Sequence, residues 1–169
     1  NEDIAVIDRN SGIVTGKSVG YTTITGENTV NGLKAKAIVN VYRDAKNAVT
    51  VPQVEMGDSF TVILKEDGTV WATGINNYGQ LGNGTTNDEK IAGQVKIDEI
   101  MNLTNVRKVS AGTNFAIAMT VDGKVYAWGY NGYGQLGTED TQNRHKPTKI
   151  NVENIIDVSA GEYFTLLLS

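Results

Sequence analysis

The sequence predicts an all-β protein assembled from copies of one small sheet, and three observations carry that prediction. The segment Gly57 to Gly82 returns 55 residues later as Gly112 to Gly137, with half of the 26 aligned positions identical. Both copies end in the same five residues, Tyr78-Gly79-Gln80-Leu81-Gly82 and Tyr133-Gly134-Gln135-Leu136-Gly137. A third copy opens at Val158-Ser159-Ala160-Gly161, repeating Val109-Ser110-Ala111-Gly112. Within the copies, short runs of strand formers alternate with turn clusters, and the chain holds 19 Gly against only 2 Pro. A supersecondary unit repeated at a period of about 50 residues belongs to a propeller or a solenoid, so function is sought on the surface of an array.

In chain order, Ile4-Ala5-Val6-Ile7 reads as a strand and Arg9-Asn10-Ser11-Gly12 as a turn. Ile13-Val14-Thr15 is a second short strand, and Gly16 to Gly20 follows it. Tyr21 to Thr25 and Lys34 to Tyr42 show the alternation of half-buried antiparallel strands, with the hairpin-turn dipeptide Asn31-Gly32 between them. Asp44 to Thr50 reads as a polar linker.

From Val51 onward each unit follows one grammar. A strand leads into a glycine, as in Val109-Ser110-Ala111-Gly112, and Phe115 to Met119 forms a second strand. Asp122-Gly123 reads as a two-residue turn with positive φ, and Lys124 to Trp128 is the third strand. The Tyr-Gly-Gln-Leu-Gly segment and a polar loop come next. Pro147 to Ile150 then reads as a fourth, edge-like strand, because proline is tolerated at sheet edges and strand starts. Four strands per unit is one propeller blade. Phe60, Val62 and Leu64 fall on one face of their strand and Ile63 on the other, as a sheet sandwiched between sheets requires.

Residues 4–43 resemble the second half of a group 2 bacterial immunoglobulin-like domain. The resemblance rests on Ile4 to Asp8, Ser11 to Gly16, Val19 to Thr25 and the closing Ile38-Val39-Asn40-Val41-Tyr42. The first strands of that domain, with their usual tryptophan, have no counterpart here, so the edge of this segment is expected to pair with another chain or with the repeats. Residues 51–169 resemble the repeat of the regulator of chromosome condensation family, on the two copies of Asp-Gly-x-Val-(Trp/Tyr)-Ala-x-Gly-x-Asn-x-Tyr-Gly-Gln-Leu-Gly. That resemblance implies a propeller of about seven blades. Phe60, Phe115 and Phe164 stand where the family usually has histidine, so roles ascribed to those histidines do not carry over.

The expected organisation is thus a partial immunoglobulin-like segment at 1–43, a linker at 44–50 and propeller repeats at 51–169. Two full repeats and the start of a third do not close a ring, and open faces leave apolar surface wet at about 25 cal/mol per Å². The chain is therefore expected to be a piece of a larger protein, or to self-associate.

Bulk properties narrow the function. Net charge is −4 and no basic run occurs, which argues against nucleic acid, since that grip depends on neutralising phosphates. Without cysteine there are no disulfides or thiolate metal sites. No stretch approaches transmembrane length, so no membrane insertion is expected.

Several motifs fail on inspection. Gly132-x-Gly134-x-x-Gly137 matches a dinucleotide fingerprint but is followed by the loop-like Thr138 to Arg144, where the pyrophosphate requires a helix N-terminus. Gly12 to Ser18 looks like a phosphate loop but has three residues between its glycines instead of four. His145 is the single histidine and reads as part of a polar loop. It leaves little material for a zinc site or a His-based triad. The carboxylate pairs Asp88-Glu89 and Glu139-Asp140 read as solvated loops, and Asp67 and Asp122 as turn residues. Asn83-Gly84-Thr85 and Asn102-Leu103-Thr104 fit the glycosylation sequon, which means little in a bacterial protein. No catalytic residue, cofactor or metal is expected.

A binding rim is what remains. The dipeptides after each strand-ending glycine vary between copies: Asp58-Ser59, Thr113-Asn114 and Glu162-Tyr163. Tyr130 joins them as a candidate contact, aromatic residues being good interface anchors. Tyr78 and Tyr133 recur at one repeat position and read mainly as packing between blades. The expected function is a non-catalytic protein- or glycan-binding module of an exported bacterial cell-surface protein. Two alternatives are an enzyme inhibitor, as in a similar propeller that blocks a β-lactamase, and a nucleotide exchange factor for a small GTPase. The bacterial-style neighbour and the acidic charge disfavour the latter.

Overall fold

The computed structural model describes residues 50–169, together with the strand segments at 5–7, 14–16, 20–27 and 34–41. The chain divides into two units, Asn1–Val49 and Thr50–Ser169. In the first, β1 (Ala5–Ile7) pairs antiparallel with β2 (Val14–Gly16), and β3 (Gly20–Glu27) with β4 (Lys34–Val41). Glu27 faces Lys34 at the closed end of the second hairpin. The expected turns at 9–12 and 31–32, residues 44–49 of the linker expected at 44–50, and most of the phosphate-loop look-alike lie outside the described residues, while Thr50 belongs to the second unit.

The second unit is a row of antiparallel meanders. The first blade is β5 (Gln53–Met56), β6 (Phe60–Leu64), β7 (Val70–Gly74) and β8 (Glu89–Gln94), hydrogen-bonded in that order. The second is β9 (Val106–Ala111), β10 (Phe115–Thr120), β11 (Val125–Gly129) and β12 (Arg144–Lys149). β13 (Asp157–Ala160) and β14 (Thr165–Leu168) repeat the first two strands of a blade.

Two local expectations need correction. The Asp-Gly turn is one residue longer than a two-residue hairpin. Lys65 N–H donates to Thr69 O at 2.9 Å and Gly68 N–H to Lys65 O at 2.9 Å. Glu66, Asp67 and Gly68 therefore form the loop, a type I turn closed by left-handed Gly68 at φ 77°. A two-residue type I′ turn would need positive φ at the aspartate as well, which neither Asp67 nor Asp122 adopts. The carboxylate instead serves side-chain bonds: Asp67 Oδ1 accepts from Thr69 N–H at 3.0 Å and from Thr69 Oγ1 at 2.6 Å.

The fourth strand also starts earlier than Pro147. β12 begins at Arg144, which pairs with Gly129 of β11, and takes His145 out of the expected loop; His145 O also accepts Gly84 N–H from the first blade at 2.9 Å. In both blades the third and fourth strands slip register at one place, between Ala72 and Gly74 and between Ala127 and Gly129. Gly74 and Gly129 have φ of 116° and 102°, and a Cβ on either would lie 2.5 Å from the carbonyl oxygen of Ser59 or Asn114. Only glycine lets the bulge and the neighbouring strand end approach so closely.

Two apolar layers join the three sheets. Phe60, Val62 and Leu64 of β6 pack with Val109, Ala116, Ala118 and Trp128 of the second blade. Phe115, Ile117 and Met119 of β10 pack the other way, with Val158 and the half-buried Leu167 of β13 and β14. Every residue of β10 is buried, because both of its faces are covered. That is the physical origin of strands apolar on both sides.

Candidate functional site

The antiparallel meander sends β5 and β7 the same way, so the loop at 57–59 and the long segment at 75–88 open on one rim. The Asp-Gly turns lie on the opposite rim. All seven residues expected to contact a partner fall on the first rim: Asp58, Ser59, Thr113, Asn114, Tyr130, Glu162 and Tyr163.

Backbone bonds run along this rim from blade to blade. Asp58 N–H donates to Thr113 O at 3.0 Å, and Thr113 N–H donates to Glu162 O at 3.2 Å. Within each loop the glycine N–H closes a tight turn on the following phenylalanine carbonyl, as Gly57 does on Phe60 O at 3.0 Å. The glycines make the lateral approach possible. A Cβ on Gly57 would lie 2.6 Å from Gly112 O, and one on Gly112 would lie 2.6 Å from Gly161 O. The rim main chain is therefore held in place, while the Asp58, Ser59 and Glu162 side chains remain exposed.

These loops border an open groove of about 520 Å³. It is lined by Met56, Asp58, Thr113, Glu162, Tyr163 and the three loop glycines, with Ala111 and Ala160. Its lining holds two carboxylates and no lysine or arginine. The Glu162 charge beside Tyr163 raises that phenol above its ordinary pKa, with burial adding in the same direction.

The second rim element is built by an asparagine. Asn76 Oδ1 accepts Leu81 N–H at 2.9 Å, and its Nδ2 donates to Thr85 O at 3.0 Å. Asn131 repeats this with Leu136 N–H at 2.9 Å and Asp140 O at 2.9 Å. Each buried asparagine thus folds the Tyr-Gly-Gln-Leu-Gly segment back on its own loop. The glutamine closes the same turn, as Gln80 Oε1 accepts Tyr78 N–H at 2.9 Å and Gln135 Oε1 accepts Tyr133 N–H at 3.0 Å. The tyrosine side chain is left facing outward.

Four tyrosines consequently form a row across the rim. Ring centroids lie 4.9 Å apart for Tyr78–Tyr130, 6.0 Å for Tyr130–Tyr133 and 5.3 Å for Tyr133–Tyr163. Tyr78 and Tyr133 do meet the next blade, through Tyr130 and Tyr163, but at the solvent boundary and not in the core. Tyr133 is 71% exposed. Recurrence beside Asn76 and Asn131 was the available signal for this role, since a buried asparagine at a turn fixes where its neighbours point.

Some expected contacts have structural work as well. Asn114 is half-buried, its carbonyl accepts Tyr130 N–H at 2.8 Å, and its Oδ1 accepts from Gln80 Nε2 at 3.4 Å. The equivalent donor in the next unit, Gln135 Nε2, is buried without an acceptor, because Tyr163 occupies the place of Asn114. Neither glutamine was among the expected site residues. Among the described residues, no three His, Cys, Asp or Glu side chains gather as a metal cluster.

Comparison with known proteins follows the repeats. Residues 67–119 and 122–168 match the Regulator of chromosome condensation (RCC1) repeat, and a second form of that repeat matches 52–80 and 106–135. The chain is 34% identical over 149 residues to the X-linked retinitis pigmentosa GTPase regulator of Mus musculus, covering 86% of this chain and 14% of that protein. It is 37% identical over 94 residues to the E3 ubiquitin-protein ligase HERC2 of Homo sapiens, covering 56% of this chain and 2% of that protein. Among solved structures it is similar to Prp20p from Saccharomyces cerevisiae, with a TM-score of 0.58 and 26% identity over 79% of this chain and 31% of that one.

Proposed function

Because this chain belongs to the regulator of chromosome condensation repeat family, we propose that it is a non-catalytic protein-binding module whose contact face is the rim carrying Asp58, Ser59, Thr113, Asn114, Tyr130, Glu162 and Tyr163. One observation carries the reading: the variable loops and the tyrosine row meet on a single rim whose main chain is tied from blade to blade by the Asp58–Thr113 and Thr113–Glu162 bonds. A pre-organised backbone presenting exposed aromatic and acidic side chains loses little conformational freedom on association.

The test is cross-linked partner capture with three proteins: the unaltered chain, a rim variant (Tyr133→Ala with Glu162→Lys) and an opposite-rim variant (Glu66→Lys). Loss of the partner with the rim variant alone supports the proposal. Loss with the opposite-rim variant alone overturns it.

A second reading, regulation of a small GTPase, is favoured by the similarity to a protein named as a GTPase regulator across most of this chain. Accelerated release of labelled nucleotide from a panel of small GTPases would support it, and unchanged release would remove it. The exported, bacterial setting rests on the pattern of residues 4–43, whereas the relatives described above are eukaryotic. An export signal on the full-length gene product is its test.

A further inference from the structure

We propose that the tyrosine row, with the acidic groove that Tyr163 borders, binds an extended proline-rich peptide that carries a basic residue. This rests on the rim being the contact face and names the chemistry of what it takes.

The shape of the row selects the ligand. Neighbouring rings are inclined at 58°, 81° and 64°, so none of the three pairs is coplanar. At these centroid spacings the inclined rings touch one another, so the row presents a corrugated aromatic surface. A pyrrolidine ring packs on such a corrugated aromatic surface, whereas a sugar needs one flat, open aromatic face. The row measures at most roughly 16 Å along its centroids, the length of about five residues of polyproline II at about 3.1 Å each. Such a helix is already formed in the free peptide, so docking it on an aromatic-lined surface costs little ordering entropy.

Hydrogen-bonding capacity points the same way. Proline residues bring carbonyl acceptors and no N–H donors. The rim offers the complement: tyrosine hydroxyls, and the Gln135 Nε2 donor, which has no acceptor in a residue only 5% exposed. That amide is bracketed by Tyr133, whose N–H it accepts, and by Thr165, whose hydroxyl donates to Gln135 O at 2.8 Å. A peptide carbonyl that parts the Tyr133–Tyr163 contact supplies the missing acceptor.

Charge sets the remaining feature. Asp58 and Glu162 are both exposed, and no lysine or arginine lines their groove. A basic residue flanking the prolines meets them there, with the nearby tyrosine faces available to a guanidinium. Single-stranded nucleic acid also stacks on aromatic rows, but its phosphates would face these carboxylates.

The experiment is fluorescence anisotropy with the whole 169-residue chain and a labelled synthetic peptide of the form Arg-x-x-Pro-x-x-Pro. Expected results are saturable binding, loss of at least about tenfold in affinity for the peptide with alanines at both prolines, and a similar loss in Y133A and E162K protein. Both substituted side chains are exposed, and matched melting curves confirm that the variants fold. Equal binding of the alanine peptide, no binding of the proline peptide, or competition by an oligosaccharide or oligonucleotide in its place overturns the inference. Partner capture with the same variants separates the two levels. If Y133A and E162K abolish capture while the proline peptide does not bind, the rim remains the contact face and only the peptide assignment falls. If capture survives both substitutions, both fall.

Discussion

Trp128 of the second blade donates its indole N–H to the main-chain carbonyl of Gln80 in the first blade, 3.0 Å away and fully buried. The bond ties the core between blades to the segment that displays Tyr78. Gly82 makes room for it, since a Cβ there would lie 2.8 Å from the indole nitrogen.

Replacing Trp128 by phenylalanine keeps most of the apolar packing and removes the donor. The buried carbonyl is then left without that bond, and the expected cost is about 1–3 kcal/mol. A urea denaturation midpoint measures it, and an unchanged midpoint would refute the strut role.

Glycine is required at Gly112 and dispensable at Gly93. A Cβ on Gly112 would collide with the Phe115 ring and stand 2.6 Å from Gly161 O, whereas nothing lies within 4 Å of one on Gly93. Gly112→Ala is expected to lose about 1–3 kcal/mol by overpacking, and Gly93→Ala to stay within about 0.5 kcal/mol of the parent. Parallel thermal melts compare the two.

Acid should weaken the contact between β9 of the second blade and β13 of the third repeat. Lys108 Nζ lies 2.5 Å from Asp157 Oδ1, and this bond holds the Asp157 carboxyl below its ordinary value of 3.8. A carboxylate with a depressed folded pKa contributes stability that is complete above its unfolded value. That contribution is lost as pH falls below 3.8 and through the folded pKa. Asp157→Asn should therefore lower stability at neutral pH by at most about 1 kcal/mol, as for an exposed ion pair. The difference from the parent should vanish near pH 2, and a pH series of melting curves reads both.

In a preparation of these 169 residues by themselves, the exposed apolar face of Phe164 and β14 should drive self-association. Phe164, Leu166 and Leu168 are 54%, 60% and 57% exposed, while Phe115, Ile117 and Met119 at the same repeat positions are buried. Light scattering of this chain is expected to show concentration-dependent association, reduced in the double variant Leu166→Lys and Leu168→Lys. A strictly monomeric parent, or no change in the variant, would count against it.

Reading along the chain recovered the parts of the fold that local chemistry governs. The repeat offset, the strand positions, the glycine-marked turns and the two-sided apolar pattern of β10 all follow from neighbours a few residues apart. Even there, the turn length and the start of β12 escaped it, because the first depends on which residue takes positive φ and the second on the register slip that pairs Arg144 with Gly129. Six of the seven candidate rim residues are the variable dipeptides after the recurrent glycine in the three copies, and the antiparallel meander is what puts them on one rim.

What the sequence by itself determined was a stack of four-stranded sheets and the end of each sheet on which its variable loops stand. Only the tertiary structure decided that Tyr78, Tyr130, Tyr133 and Tyr163 form one row, that Asn114 is tied to Gln80, and that Gln135 lacks the matching partner. Apart from Tyr130–Tyr133 within one loop, those contacts join residues that are tens of positions apart, and they depend on how far one sheet is displaced and turned against the next. That displacement is set by side chains meeting across the interface, with Trp128 against Gln80 among them, and no periodicity within a single strand encodes it.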